Sequence, residues 1–154
     1  MCLSIKVDRP QHVLAEGKHL GYEWVIVHNT SGYRCGYVRI PLGHPWHGKG
    51  EDGLNVDVHG GLTFAQPDKA CHGDREDNAW WLGFDCAHCG DAKDPSLLSP
   101  EKRQWEEDFN RRFLEDHPEY TDRDFGETIK DTNYVKKECR RLCAQAKAAV
   151  GGKK

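Results

Sequence analysis

The chain reads as an α+β domain, with a mainly antiparallel sheet of about four or five strands packed on two C-terminal helices. Three observations predict this. β-branched and aromatic runs fill the first half and are separated by turn residues. Apolar residues at helical spacing fill the second half. The length of 154 residues suits one domain with a real core.

The elements follow in order. Tyr22-Glu23-Trp24-Val25-Ile26-Val27-His28 reads as a strand that stops at Asn29-Thr30-Ser31-Gly32. Tyr33 to Ile40 reads as a second strand, stopped by Pro41, so the pair predicts a hairpin. Leu42 to Gly53 is a glycine-rich loop, and long loops in compact domains are often functional. Leu54 to Phe64 reads as a third strand, because Val56 and Val58 alternate with Asn55 and Asp57. Gln66 to Asn78 is polar loop, and Trp80 to Cys86 is the fourth strand.

Ser99-Pro100-Glu101 is a helix start: serine caps, proline suits the first turn and glutamate the positive end of the dipole. Trp105, Phe109 and Phe113 recur every fourth residue and predict a buried stripe. Pro118 ends that helix, and Asp116 to Lys130 is charged and irregular. Asp131-Thr132-Asn133 can cap a last helix whose buried face is Val135, Cys139, Leu142, Cys143, Ala146 and Val150. The expected organisation is one domain over residues 1–150, with 151–154 a frayed tail. The sheet face opposite the helices, with the loops after Ile40, Val58 and Phe84, is the expected place for a site.

A formal net charge of -3 speaks against a general nucleic-acid coat. From Asp131 onward seven Lys or Arg face two acids, which is a solvated helix face or a surface for a phosphorylated ligand. Met1 to Asp8 has no long apolar region, and no run approaches membrane-spanning length. A cytoplasmic, reduced protein is expected, with its seven cysteines as thiols or metal ligands.

The most informative stretch is Trp80-Trp81-Leu82-Gly83-Phe84-Asp85-Cys86-Ala87-His88-Cys89-Gly90-Asp91, where an apolar strand passes directly into a loop of ionisable side chains. Cys86 and Cys89 have the spacing of half a zinc site, with Cys71 and His72 or His59 as further ligands, but a second Cys-x-x-Cys is missing. A redox reading needs a helix after the first cysteine, which Gly90, Asp94 and Pro95 oppose. Asp85, His88, Asp91 and His59 form a second set. They can hold a divalent metal, or act without one as general acid and base. The plainer alternative is that the two aspartates bind loop amides.

In His59-Gly60-Gly61, glycine lets a phosphate or sugar reach the main chain, or it marks a bulge. Trp46, in the loop with His44 and His47, either covers the sheet or stacks on a flat ligand. Cys139 and Cys143 read as small core residues, and Arg140 or Arg141 beside them can reach an anion.

Taken together, Cys35-Gly36-Tyr37-Val38 with Pro41 and Gly43-His44-Pro45, Val58-His59-Gly60-Gly61-Leu62-Thr63-Phe64, Trp81 to His88 with Gly90-Asp91, and Tyr134 to Cys139 resemble a family of small, uncharacterised bacteriophage and prophage proteins. The resemblance covers most of the chain, and Cys89 is not part of its pattern. Its phage setting implies counter-defence against host immunity, by capture or cleavage of a nucleotide second messenger of the cyclic nucleotide or cyclic ADP-ribose type. This step is analogy.

The first expectation is therefore a protein that sequesters a nucleotide-like small molecule. Trp46, His47 or Trp80 would stack on or contact the base. Gly60, Gly61 and Arg140 would take the phosphate, and His59, Thr63, Asp85 and His88 the ribose or base edges. The second is a hydrolase of the same molecules using His59, Asp85, His88 and Asp91, with a divalent metal as the candidate cofactor. The third is a protein-binding inhibitor of a host factor. None of the three involves a nucleic-acid polymer or a membrane, and a homo-oligomer is compatible with each.

Overall fold

The computed structural model describes residues 12–68, 78–121 and 126–151. The strands among them are β1 (Val13–His19), β2 (Tyr22–His28), β3 (Arg34–Ile40), β4 (Phe64–Pro67), β5 (Trp80–Asp85), β6 (Asp91–Ala92) and β7 (Thr128–Ile129). The helices are α1 (Pro100–Asp116) and α2 (Thr132–Gly151). The first five strands form one antiparallel sheet in the order β1-β2-β3-β5-β4, and β6 pairs with β7 in parallel. The fold is α+β, as the sequence predicts. No helix among the described residues is long and apolar enough to cross a membrane.

The predicted hairpin is β2–β3. Its turn is held by the Asn29 side chain, whose Oδ1 accepts from Ser31 N at 2.9 Å and Tyr33 N at 3.1 Å. β1 extends the sheet through a two-residue turn at Leu20-Gly21, both with positive φ (52° and 90°), as tight hairpins require. Its sequence, with Ala15, Glu16, Gly17 and Lys18, carries little strand signal.

One face of the sheet meets α2. Tyr22, Trp24, Ile26, Val38, Ile40, Leu82 and Phe84 pack against Val135, Cys139, Leu142, Cys143 and Ala146. Five of the six predicted α2 positions are buried, while Val150, at the fraying end, is 50% exposed. The segment from Trp46 to Leu62 covers the rest of this face. Trp46 packs on the core beside His44, whose Nε2 donates to Ala146 O at 2.8 Å while its Nδ1 accepts from Trp46 N at 3.0 Å. The opposite face carries a smaller cluster of Val25, Val27 and Trp81, flanked by Tyr37 and Phe64.

Two expectations are corrected. Residues 54–63 do not form a strand, and β4 begins only at Phe64 and runs into the stretch read as loop. The alternation there is real, since Leu54, Val56 and Val58 face the core, but the partner is a helix. The amides of Asp57 and His59 donate to Gln145 Oε1 (2.8 Å) and Glu138 Oε1 (2.9 Å) of α2. The aromatic stripe of α1 is not buried: Trp105 is 63% exposed, Phe109 55% and Phe113 40%. Periodicity places the three rings on one face but does not supply a surface to cover it. The start is as predicted, with Ser99 Oγ accepting from Lys102 N at 3.2 Å, and polar contacts tether the helix, among them Lys93–Glu106 and Lys102 Nζ–Thr30 O, both 2.8 Å. The candidate site, described below, lies at the end of β5: α2 holds its His59 side, while its cleft is lined by Tyr37 and Phe64 of the face opposite α2. Gly151 closes α2, and residues 152–154 lie outside the described residues.

Candidate metal and acid–base site at the end of β5

β5 carries the site out of the core. Its last residue is Asp85, and the Cys86 amide donates to Arg34 O at 2.9 Å, so the sheet fixes where the loop begins. The loop closes when Asp91 N donates to His88 O at 2.9 Å, and Asp91 then starts β6, which β7 grips. This puts Asp85, His88 and Asp91 around one tight turn. His59 arrives from the other side on the extended segment that α2 holds.

The two halves meet at Gly60. Its φ is +67°, and a Cβ there would overlap the His88 ring. Glycine is needed both for the left-handed turn and for the close approach of the imidazole. The Gly61 amide is already used, donating to Val58 O at 2.9 Å.

His59 is held at both ring nitrogens. Nε2 lies 2.8 Å from Asp91 Oδ2 and Nδ1 lies 2.8 Å from Tyr134 Oη. The carboxylate only accepts, so Nε2 carries the proton and Nδ1 of the neutral ring accepts from the phenol. Asp91 Oδ2 also accepts from His88 N at 2.9 Å, and Lys130 Nζ lies 3.2 Å from Oδ1. Burial pulls the Asp91 pKa up, but the bonds from His59, the His88 amide and Lys130 outweigh it and leave the carboxyl below its usual range. The Tyr134 phenol is pushed up, first by burial and then by the Glu138 charge.

His88 Nδ1 lies 3.6 Å from both Asp91 Oδ2 and Asp85 Oδ1. One ligand atom from each of His59, His88 and Asp91 lies within 4.8 Å of the others. Two imidazoles and a carboxylate at this spacing can hold a divalent metal with coordination positions left open. Beside them opens a cleft of about 570 Å³ lined by Tyr37, Thr63, Phe64, Asp85 and His88, among others. Tyr37 and Phe64 meet edge to face at 5.1 Å, and Thr63 Oγ1 donates to Asp85 Oδ2 at 2.9 Å.

The chain matches no family model, no curated protein and no solved structure. Function is therefore argued from the geometry and the sequence.

Of the residues singled out in the sequence, His59, Gly60, Thr63, Asp85, His88 and Asp91 come together. Trp46, His47 and Trp80 do not join them. Trp80 starts β5 opposite Ile40, at the far end of the strand from Asp85, and its Nε1 donates to Lys49 O at 3.1 Å. His47 Nε2 bonds Asn78 O at 2.5 Å, so these three secure the loop after β3. Arg140 is exposed, and it is Arg141 that reaches toward the His59 segment, with its guanidinium on Glu138 (2.7 Å) and Asp57 (2.6 Å).

The Cys86–Cys89 pair does not form a site. Cys86 is buried and Cys89 exposed, both are free thiols, and burial raises the Cys86 pKa to about 12. Cys71 and His72 lie outside the described residues. Alkylation of the native protein with iodoacetamide at neutral pH is expected to label Cys89 and to spare Cys86, Cys139 and Cys143. Peptide mass spectrometry reads this directly, and early labelling of Cys86 would contradict the burial described.

Tyr134, Lys130 and Glu138 complete the site and were not singled out as site residues. The one usable signal is Glu138, an acid on the apolar face of an otherwise basic helix, between Val135 and Leu142. A buried carboxylate in such a place needs partners, and these are His59 N and Arg141.

Proposed function

We propose that the chain is a metal-assisted hydrolase of phosphorylated, nucleotide-like small molecules. The observation that carries this reading is that His88 belongs both to the three-ligand group and to the wall of the cleft. A molecule seated against Tyr37 and Phe64 would thus present its polar end to the His59–His88–Asp91 group. A divalent metal bound there would lower the pKa of a water and polarise a phosphoryl oxygen. The chain's own residues supply the rest. Holding a metal through Nε2 would shift the His59 proton to Nδ1, which then donates to Tyr134 Oη and is oriented by it from behind; the His88 amide and Lys130 fix Asp91, and Asp85 in the cleft wall can accept a proton from the attacking water. The nucleotide class is the one the phage resemblance points to, and the aromatic wall and Lys130 are compatible with it.

A second reading is sequestration without turnover. The Lys130 ammonium favours it, because it already balances the Asp91 charge without a bound cation.

The test is calorimetric titration with Zn²⁺ or Mn²⁺, followed by incubation with a panel of cyclic nucleotides and cyclic ADP-ribose isomers and mass spectrometry of the products. Hydrolysis predicts one metal per chain and a metal-dependent cleaved product. Both are lost in His59→Ala and strongly weakened in Gly60→Ala, which keeps every ligand but displaces His88. Intact nucleotide released on denaturation supports sequestration. Absence of both binding and cleavage overturns both readings.

A further inference from the structure

The aromatic face of α1 is only partly covered by the described residues: Phe113 meets His117 and Tyr120, while Trp105 and Phe109 edge an open groove against Tyr33 and Pro95. Trp105 stacks on Phe109 with ring centroids 5.5 Å apart, and Phe113 continues the row, yet no residue of the helix is buried. Three large rings in water on one helix face are an unusual expenditure of apolar surface in a domain this polar.

The charges around the stripe show what fits it. Reflected about Phe109, the helix is antisymmetric in charge: Lys102 falls opposite Asp116, Arg103 opposite Glu115, Glu106 opposite Arg112 and Glu107 opposite Arg111. The same reflection sets Trp105 opposite Phe113 and Phe109 opposite itself. At 3.6 residues per turn, Lys102, Glu106, Arg112 and Asp116 lie on the same face as the aromatic row, Lys102 and Glu106 at its inner edge where they also hold Thr30 O and Lys93, while the other two pairs lie toward the far side. A second helix of identical sequence, laid antiparallel across a two-fold axis at Phe109, therefore finds ring against ring and opposite charge against opposite charge. Such a self-complementary patch is what an isologous dimer requires.

The helix dipole adds an independent argument. Glu101 suits the N-terminal end of the α1 dipole, but Lys102 and Arg103 follow it and the last turn has acids and no base, an arrangement that opposes the dipole at the C-terminal end. In an antiparallel pair, the acidic end of each helix lies over the positive end of the other, and the penalty becomes an attraction.

We propose that the partner of this face is a second copy of the chain, docked through α1 in antiparallel register centred on Phe109.

Sedimentation equilibrium of the full chain tests it. The wild type is expected to be a concentration-dependent dimer. Phe109→Glu should be monomeric with an unchanged circular dichroism spectrum, because the residue is solvent-exposed and its loss leaves the core intact. Asp116→Lys puts like charges together at both ends of the interface and should weaken dimerisation about tenfold. Lys102→Asp added to it restores complementarity and should recover the dimer. Both substitutions suit the helix dipole, and circular dichroism with thermal unfolding reads whether losing the Lys102–Thr30 O bond disturbs the helix. A wild type that stays monomeric overturns the proposal and leaves the stripe to a different protein. A dimer indifferent to Phe109→Glu overturns the surface, and failure of the double variant to recover overturns the antiparallel register.

Discussion

Asp91→Ala is expected to destabilise the fold by about 2–4 kcal/mol and to abolish metal binding. Asp91 is 5% exposed and its carboxylate gathers three contacts, His59 Nε2, Lys130 and the His88 amide, the last of which holds the turn that follows β5. Its removal leaves the His88 amide without an acceptor and Lys130 without its counter-charge. Urea denaturation measures the loss, and a variant as stable as wild type would show that the Asp91 bonds do not hold the loop. Asp91→Asn, which can still accept from the His88 amide, should lose less stability while binding metal poorly.

The same residue sets an acid limit. Its folded pKa is depressed below the unfolded value, so its contribution is present above the usual carboxylate range and is lost as pH falls through the folded pKa. Asp94, held by Ser96 and Arg34 against the opposing effect of burial, acts in the same direction. Wild-type stability should therefore fall as pH drops below about 4, and less steeply in Asp91→Ala.

Gly36→Ala is the second large effect, expected at about 1–3 kcal/mol of destabilisation. Gly36 lies where α2 crosses the middle of the sheet. A Cβ there would stand 2.5 Å from Phe84 Cζ and 2.8 Å from Cys139 Sγ, and both neighbours are fully buried with no room to retreat. Thermal unfolding reads the loss. Removing the sulfur as well, with Cys139→Ala, should return part of it. A Gly36→Ala protein of wild-type stability would mean that the helix does not lie this close to β3.

The fold was largely legible because its principal elements carry local signals. Asn29 marks the β2–β3 turn, Ser99-Pro100 starts α1, and the Val135–Cys139–Leu142–Ala146 spacing defines the face of α2. Residues 54–59 misled because an alternating apolar pattern reports a half-buried extended chain and is silent about its partner, here the side chains of Glu138 and Gln145. Of the site, the loop from Asp85 to Asp91 was legible because strand and chemistry adjoin in sequence. Tyr134 and Lys130 were not, since tertiary folding alone brings them within reach of residues 59 and 91. Trp46 and Trp80 carried the pattern of a stacking platform, but register sets them at the wrong end of β5.

The parallel stitch between Asp91–Ala92 and Thr128–Ile129 closes the neck of the excursion that contains α1. Its first residues stay on the body, with Asp94 bonded to Arg34 at 2.8 Å and Leu98 buried, whereas α1 beyond them buries no side chain of its own. Side chains on the open face of α1 can thus be exchanged while His59, His88 and Asp91 keep their places. What α1 presents to solvent is physically separable from what β6 and β7 hold, and the seam between them is two residues wide on each side.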